Sequence, residues 1–470
     1  MFNLMNSVKS KLVISCLLAT SILLAGCASK IDEAKQHQLL ESFIERADIA
    51  SNLASANELN WWRQFNSAEL DELVKSALAT NHDLKTSQLQ LKSALARLGA
   101  QKAEYLPQGG FSISATRSGL DSVITRESSG TLGLDWQLDL FGRVTALVDA
   151  ANASAMSQAE QIRLLQIEIV SGVVKGYINY QGNIQNQQVI SKQITALKQS
   201  IEVLEARVEE GVASELDLNR TKAQLSQQQA LLPDVIYAQY SNLATIALLT
   251  GKLTKEISLS ETQGLFDTPI EVAIADANNA IALRPDINQA LLNFSQAYSL
   301  SVSASKALLP NISLSGFAGV LGLDNTRLVD TQQQWQVSPQ IEWSLLSYPA
   351  LLAQRDAQAF LSEAAYSEYQ QVVLEAINES ELSLQFLVKQ SDMQKFAQQR
   401  YKYANNAFLQ AEVMYQEGQI PYLELLDARQ DVLVAEKNNI DSAISSLIAK
   451  VSTYQAFNGS WSQKLATDEP

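Results

Sequence analysis

The hydrophobic period of this chain changes from two residues to helical spacing within one short segment. From Leu132 to Leu140 every second residue is apolar, which predicts a β-strand with one apolar and one polar face. After Phe141-Gly142-Arg143 the sequence is rich in alanine and free of proline, and it predicts a helix of about 60 residues. The same change recurs at Trp343, which is 343 minus 136, or 207, residues after Trp136. We therefore expect an internally duplicated chain.

The offset between the two repeats is not constant along the chain. Leu309-Pro310 repeats Leu106-Pro107 at an offset of 203 residues, whereas Gly418 repeats Gly211 at an offset of 207. The second pair of strands therefore contains four additional residues. We place them in its loop, where insertions cost least.

We expect each repeat to contain short helices, a β-hairpin and a long helical hairpin. In the first β-hairpin, residues 111–115 and 132–140 predict strands, joined by a polar loop over about 118–130. In the second, alternation marks residues 312–315 and 335–345. The predicted segments are a signal peptide (1–26), a surface segment (27–60), the first helices of each repeat (61–107 and 269–310), two β-hairpins (109–140 and 311–346), two long helical hairpins (143–250 and 350–457), an inter-repeat linker (251–268) and a C-terminal tail (458–470).

The long helices are predicted to pair as antiparallel coiled coils. Five apolar residues from Ile194 to Val208 have spacings of 3, 4, 3 and 4 residues, and this seam needs a partner helix. Leu218, Leu225 and Leu232 follow at heptad spacing and supply the returning helix. At a rise of about 1.5 Å per residue, the outgoing helix would be ~100 Å long.

Two turns connect the long helices and form the free tips of the hairpins. Gly211 suits a left-handed position after the first helix, and Ser214 can cap the next helix. Because the tips are free ends, a partner protein can reach them. The tip residues are Gly211, Val212, Ala213, Ser214, Gly418, Gln419, Ile420 and Pro421.

The amino terminus has the layout of a secretory leader. Lys9 and Lys11 precede an apolar run that is too short to span a bilayer and ends in Leu24-Ala25-Gly26-Cys27. This ending resembles the bacterial lipoprotein box, in which the cysteine is acylated and becomes the new amino terminus. Cys27 is therefore the predicted lipidation site, and Ala28 after it favours the outer membrane by the lipoprotein sorting rule. A plain signal peptide is the alternative.

Composition excludes several classes of function. The formal net charge of −15 makes nucleic acid an unfavourable partner, because phosphate binding needs clustered Lys and Arg. The two histidines, His37 and His82, are far apart in sequence and have no neighbouring cysteine, so we expect no metal site and no cofactor. No phosphate-binding loop or catalytic triad pattern is present in the sequence, and catalysis is not expected.

Four amphipathic strands in one chain cannot span a membrane alone. An open sheet would leave edge N–H and C=O groups unsatisfied in lipid, and spanning barrels contain at least eight strands. If the strands cross a membrane, several chains must share one barrel, and three chains would supply twelve strands. A soluble sandwich is the alternative. The predicted lipid-facing residues are Leu132, Leu134, Trp136, Ile341, Trp343 and Leu345.

Several segments occur in an order that is typical of one protein family. They are Trp61-Trp62, Asp135 to Arg143, Leu283-Arg284-Pro285-Asp286, Leu309 to Leu314 and Phe457 to Trp461. Together they resemble the TolC-like outer membrane efflux family, and most closely its lipoprotein branch. This resemblance implies an α+β homotrimer with a shared 12-stranded outer-membrane β-barrel and a periplasmic α-helical tunnel. It also implies a periplasmic adaptor and an inner-membrane pump of the resistance-nodulation-division type as partners.

The resemblance also implies a gate at the periplasmic end of the tunnel. Glu424 and Asp427 are three residues apart and share a helix face, and in the family such carboxylates form rings in the tunnel. The family pattern pairs Asp217 with Tyr415 to close the tip, whereas an arginine that helps to lock some members is Ile420 here. Without the resemblance, Glu424 and Asp427 are ordinary exposed carboxylates.

The expected function is that of a passive trimeric conduit that exports small molecules across the outer membrane. Two alternatives remain from the sequence. One is an exit duct of the same fold for protein secretion, which the lipid anchor disfavours. The other is a periplasmic coiled-coil structural or adaptor lipoprotein, which would form no pore.

Overall fold

The computed structural model describes residues 58–120, 123–262, 264–267, 270, 283–323 and 332–457 of the chain. The predicted signal peptide, Cys27 and the predicted tail over 458–470 lie outside these residues. The described part contains seven α-helices and four strands, together with short 3-10 helices. The helices are α1 (Ala68–Thr80), α2 (His82–Ala103), α3 (Arg143–Glu209), α4 (Glu215–Leu249), α5 (Pro285–Lys306), α6 (Tyr348–Gln416) and α7 (Tyr422–Ala456), and the strands are β1 (Gln108–Leu120), β2 (Val123–Leu138), β3 (Asn311–Leu323) and β4 (Gln332–Glu342).

The helix boundaries follow from local capping chemistry. The Ser67 hydroxyl accepts a hydrogen bond from the Leu70 amide at the start of α1. Asn81 ends α1 and caps α2, because its Oδ1 accepts from the Leu84 amide at 2.9 Å. The predicted long helix is confirmed, since α3 contains 67 residues and α6 contains 69.

The four strands form one antiparallel sheet in the order β1-β2-β3-β4. The prediction of a polar loop over 118–130 was wrong. Strand β1 extends to Leu120 and β2 begins at Val123, and these two residues are paired. From Arg117 to Ser129 polar residues occupy both sides of the hairpin, so the alternation that marks a half-apolar strand is lost although the backbone stays extended.

Two strand ends also differ from the prediction. Strand β2 ends at Leu138 and β4 at Glu342, so Leu140, Trp343 and Leu345 lie beyond the sheet. In both repeats a three-residue turn closes the strand, because Leu140 N donates to Leu138 O and Leu345 N donates to Trp343 O, each at 2.9 Å. Trp343 and Leu345 are therefore not part of the apolar row of the sheet.

The two tryptophans that revealed the duplication make equivalent contacts. The indole N–H of Trp136 donates to Tyr105 O at 2.9 Å, and that of Trp343 donates to Leu308 O at 3.1 Å. The acceptors are 308 minus 105, or 203, residues apart, whereas the indoles are 207 apart. The four additional residues therefore lie between Leu308 and Trp343, in the second β-hairpin, as predicted.

Helix α3 is the central element of the described fold. Its middle section buries Val173, Val174, Tyr177 and Ile178 against α1, α4 and α7, which forms the main hydrophobic core. Towards its carboxyl end the predicted seam is confirmed, since Leu197, Ile201 and Leu204 are buried. Within the described residues, no helix combines the length and the apolar composition that crossing a membrane requires.

Both returning helices are tied to the start of their own repeat by the same contact. The Asn81 amide donates to Leu249 O at the end of α4, at 2.9 Å. The repeat equivalent of Asn81 is Arg284, and its guanidinium donates to Ala456 O at the end of α7, at 2.6 Å. The backbone acceptors are also equivalent at the 207-residue offset, so the duplication preserves the tertiary contact while the donor changes.

Candidate functional site

The sheet has one apolar and one polar face, as its register shows. Leu132 is opposite Phe111 and Ala318, and Trp136 is opposite Leu314. Ile341 is opposite Ile312 on the same face. Directly opposed residues point to the same side of a sheet, so Leu132, Leu134, Trp136 and Ile341 share one face with the apolar residues of all four strands. The other face carries Ser112, Ser114, Thr131, Asp135, Gln137, Ser313, Ser315, Gln336 and Gln340.

No element of the described chain covers the apolar face. Trp335 is 78% exposed and Ile341 is 72% exposed, and Phe111, Ile113, Leu132 and Val337 are also largely exposed. A soluble protein rarely leaves such a continuous apolar surface in water. The observation excludes the soluble sandwich, in which these strands would form a packed core. It fits a surface that contacts lipid.

The hairpin tips are two copies of one backbone motif. At the first tip Gly211 has a φ of 71°, and Val212 N donates to Arg207 O at 2.9 Å. At the second tip Gly418 has a φ of 72°, and Gln419 N donates to the equivalent Met414 O at 2.8 Å. These are Schellman turns, whose left-handed position favours glycine. The predictions for Gly211 and for Ser214, whose hydroxyl accepts from Leu216 N at 3.0 Å, are confirmed.

A side-chain contact joins the two hairpins just above the tips. The Arg207 guanidinium of α3 donates to the Tyr415 hydroxyl of α6 and also lies 5.6 Å from the centre of the Tyr415 ring. The Tyr415 ring packs edge-on against Tyr422 of α7, with 5.5 Å between the ring centres. Within one chain Arg207 is therefore a partner of Tyr415, and the pairing of Asp217 with Tyr415 that the resemblance implied stays a prediction.

The predicted acidic residues of the gate lie near the starts of the returning helices. Asp217 lies in the first turn of α4 and is half-buried, whereas Glu424 and Asp427 lie at the start of α7 and are exposed. Sequence reasoning missed Arg207. It is 208 residues from Tyr415, and no local spacing or motif connects the two.

The strand-to-helix junction is held by a polar cluster that the sequence only partly indicated. The two carboxylate oxygens of Asp139 accept from Val144 N, Thr145 N and Thr145 Oγ1 at 2.7 to 2.9 Å. Asp139 therefore caps α3 across Gly142, which has a left-handed φ of 78°. Alternation places Asp139 only among the polar residues of the strand, so its capping role was not predicted.

Comparisons with known proteins agree with this geometry. The sequence profile of the family described as Outer membrane efflux protein matches residues 73–252 and 277–459. The Probable efflux pump outer membrane protein TtgC of Pseudomonas putida is 28% identical over 442 residues, with 89% of this chain and 87% of the relative covered. Cation efflux system protein CusC of Escherichia coli O157:H7 is 26% identical over 416 residues, with 86% and 88% covered.

The fold also matches solved structures. The outer-membrane channel OprN superposes with a TM-score of 0.78 at 24% identity, and the match covers 85% of this chain and 92% of OprN. At this level of identity the likeness shows the fold. The family profile, in contrast, covers more than half of the sequence on both sides of the inter-repeat linker. The chain therefore belongs to the outer membrane efflux protein family.

Proposed function

We propose that the chain is the outer-membrane channel of a tripartite efflux system and acts as a passive conduit for small molecules. The observation that carries this proposal is the uncovered two-faced sheet, which passes directly into helices of 67 and 69 residues. The apolar face would contact lipid and the polar face would line water. The long helices would then continue the same passage into the periplasm. The name of TtgC, an efflux pump outer membrane protein, supports this role.

A homotrimer completes the structure that one chain leaves open. Strands β1 and β4 are the edges of the sheet, and edge groups must be paired within lipid. Three chains supply twelve strands, which exceeds the minimum of eight for a spanning barrel. We therefore propose that β4 of each copy pairs with β1 of the next.

The helices at the two sides of the chain support the same closure. An exposed apolar seam on α6 recurs at helical spacings, and an exposed row on α4 recurs every seven residues. Exposed heptad seams need partner helices, and the neighbouring copy can supply them. The seam residues are Leu382, Phe386, Met393, Phe396, Tyr403 and Met414 on α6, and Leu216, Ala223, Ala230 and Tyr237 on α4.

Ion conductance is the test of the conduit. We expect the purified full-length protein to form discrete, long-lived channels in planar lipid bilayers. Deletion of its gene should sensitise the host to toxic small molecules, with rescue by the intact gene. A protein that folds and assembles but never conducts would be a structural or adaptor lipoprotein instead, and the conduit proposal would be wrong.

We also propose that Cys27 is the acylated amino terminus of the mature protein and that the lipid is an anchor in the outer membrane. The support is the Leu24-Ala25-Gly26-Cys27 ending of a short apolar run. Mass spectrometry of the amino-terminal peptide should find acyl chains on Cys27. An unmodified amino terminus at another residue would contradict this assignment. Cys27→Ser is expected to assemble, because the sheet and not the lipid would span the membrane.

The tips are the proposed docking surface for a periplasmic adaptor that connects the channel to an inner-membrane pump of the resistance-nodulation-division type. Val212 is 70% exposed, and Gln419 is exposed at the equivalent position of the second tip. Cysteine crosslinking from Ala213 or Gln419 in cells should capture the adaptor. The matched control is a cysteine at Gln371 in the middle of α6. Equal crosslinking from all three positions, or none from the tips, would count against docking there.

A further inference from the structure

A cavity of about 490 Å³ lies at the junction between the sheet and the long helices. Its walls come from both repeats. They are the start of α3, the end of α5 and the segment after it, the start of α6, and the adjoining ends of β2, β3 and β4. A volume between about 300 and 1,000 Å³ is typical of pockets that hold drug-sized ligands.

The corresponding helix junctions of the two repeats differ in their apolar content. Where α2 meets α3, Leu98, Val144 and Val148 form a small buried cluster. At the offsets of 203 and 207 residues the equivalents are Ser301, Leu351 and Arg355. The Ser301 hydroxyl donates to Tyr298 O of its own helix, and Arg355 donates to the neighbouring Asp356. Ser301 and Arg355 therefore form no apolar cluster of the kind that joins α2 and α3.

The cavity opens on the polar side of the sheet. Gln137 is opposite Ser313, and Asn311 is opposite Glu342, so all four residues belong to the polar face. Gln137, Asn311 and Glu342 also line the cavity. In the proposed conduit this face is the lumen wall, and a solute that moves from the helical tunnel into the barrel passes this opening.

The lining combines an apolar floor with two cationic groups. Leu147, Leu300, Leu309 and Leu351 are all half-buried and supply the floor. Arg143 and Lys306 bring positive charge from the start of α3 and the end of α5.

The lining also contains two carboxylates, Asp139 and Glu342, which differ in the contacts that they already make. Asp139 already accepts three hydrogen bonds from the start of α3, which it caps. Glu342 is the lining carboxylate that caps no helix. In the second repeat, the position of Asp139 is occupied by Leu346, so no matching carboxylate comes from α6. Charge and apolar surface together favour a ligand with an anionic head and an apolar body.

We propose that this cavity is a solute-binding site in the channel wall for amphipathic organic anions. Arg143 and Lys306 bind the carboxylate or sulfonate of the solute, and the leucine floor contacts its apolar body. The inference rests on the proposed conduit, because it assigns the polar face to the lumen. It goes further in naming a class of solute that pauses at the junction of tunnel and barrel.

Current block of single channels tests the site. The probe is 1-pyrenesulfonate, with 1-pyrenemethylammonium as the cation of the same apolar body and methanesulfonate as a head group without a body. We expect 1-pyrenesulfonate to block wild-type channels at the lowest concentration of the three. Arg143→Gln/Lys306→Gln should weaken this block by about 10-fold or more, because two charge-assisted contacts are lost. Lys395→Gln, an exposed charge on α6 outside the cavity, should leave it unchanged.

A second variant separates the cavity from general charge effects. Ala304 lines the cavity, and Ala304→Phe should fill it, abolishing the block while the conductance without probe persists. The inference is overturned if wild-type channels conduct but neither variant changes the block, or if the cationic probe blocks equally well. A protein without any conductance would instead refute the proposed function itself.

Discussion

At the scale of single residues, Arg284 has the most consequential buried charge that the structure shows. Its side chain is 8% exposed and forms salt bridges with Asp286 at 2.8 Å and Glu379 at 2.5 Å. It also donates to Ala456 O, so one guanidinium connects α5, α6 and α7. Burial lowers the pKa of Arg284, but the hydrogen bonds to both carboxylates outweigh burial and raise it. The Leu283-Arg284-Pro285-Asp286 motif thus has a structural role, because its arginine holds three helices together.

Replacement of this guanidinium should be strongly destabilising. Arg284→Met removes the charge and leaves Asp286, Glu379 and the Ala456 carbonyl without their donor. We expect a loss of about 3 kcal/mol in the free energy of unfolding. Arg355→Met is the matched control, because Arg355 pairs with Asp356 at a more exposed position and should cost about 1 kcal/mol or less. Chemical unfolding of both variants in detergent measures the difference, and equal losses would contradict the assigned role.

Asp139 should make the strand-to-helix junction sensitive to acid. Burial tends to raise the pKa of its carboxyl. The hydrogen bonds from the Thr145 side chain and from the amides of Val144 and Thr145 reverse this effect and hold the pKa below 3.8. A carboxyl with a lowered folded-state pKa stabilises the fold above its unfolded pKa. That contribution is lost as the pH falls through the folded value.

Asp139→Asn should therefore lower stability by about 1 kcal/mol at neutral pH, as for the loss of a helix cap. The difference from wild type should shrink below about pH 4. Asp149 is the control of opposite sign, because burial raises its pKa, so Asp149→Asn should not destabilise the protein at neutral pH. Melting temperatures between pH 3 and 7 provide the comparison. A deficit of Asp139→Asn that is independent of pH would disprove the charge-based account.

Residue-level predictions succeeded where the cause is local. Gly211 and Ser214 lie at positions where a few neighbouring residues determine the left-handed backbone and the helix cap. Arg207 with Tyr415 and Arg284 with Glu379 were not predictable in this way, because their partners are 208 and 95 residues away in sequence. The resemblance indicated that Arg284 belongs to a motif but not what the motif binds.

At the scale of elements, the sheet is the part of the fold whose sequence pattern has the most direct physical cause. The alternation of apolar and polar residues identified the part of each β-hairpin next to the helices, where one face is apolar. This part includes Leu132, Leu134, Trp136 and Ile341. It failed between Arg117 and Ser129, where neither face is apolar, and beyond Leu138 and Glu342, where turns end the strands. Periodicity reports the difference between two faces, so it locates a strand only where its two sides meet different surroundings.

A charge on the apolar face should prevent membrane insertion. Leu134→Arg should cost about 2–4 kcal/mol if the residue lies near the middle of the bilayer. Ser112→Arg on the polar face should be tolerated, because that side would face water. The yield of heat-stable oligomer in outer-membrane fractions measures both. Equal yields for the two variants would mean that the apolar face does not contact lipid.

The hairpin tips are the second element with a specific expectation. Three copies would place Glu424 and Asp427 in acidic rings at a narrow mouth, which favours cations and binds multivalent ones. We expect hexamminecobalt(III) added on the tip side to block wild-type channels. The Glu424→Gln/Asp427→Asn variant should be blocked more weakly and should lose cation preference. Unchanged block and preference would show that these carboxylates are ordinary exposed residues.

At the scale of the whole molecule, the described part of one chain leaves three surfaces without partners. They are the apolar face of the sheet, its two edge strands, and the exposed seams on α4 and α6. In the proposed assembly, lipid would cover the first surface, and copies of the same chain would pair with the second and third. The internal duplication made the architecture of one chain predictable from its sequence. The number of chains came from a minimum strand count and the resemblance, because contacts between copies leave no signal in one sequence.

The number of chains in the assembly tests this account most directly. The shared barrel, its lumen, the lipid-facing side of the sheet and the water-facing side all depend on that number. Native mass spectrometry of the full-length protein in mild detergent gives that number in one measurement. The account predicts a single species of three chains that persists on dilution. A folded monomer or dimer as the dominant species would leave the sheet edges unpaired and would contradict the shared barrel.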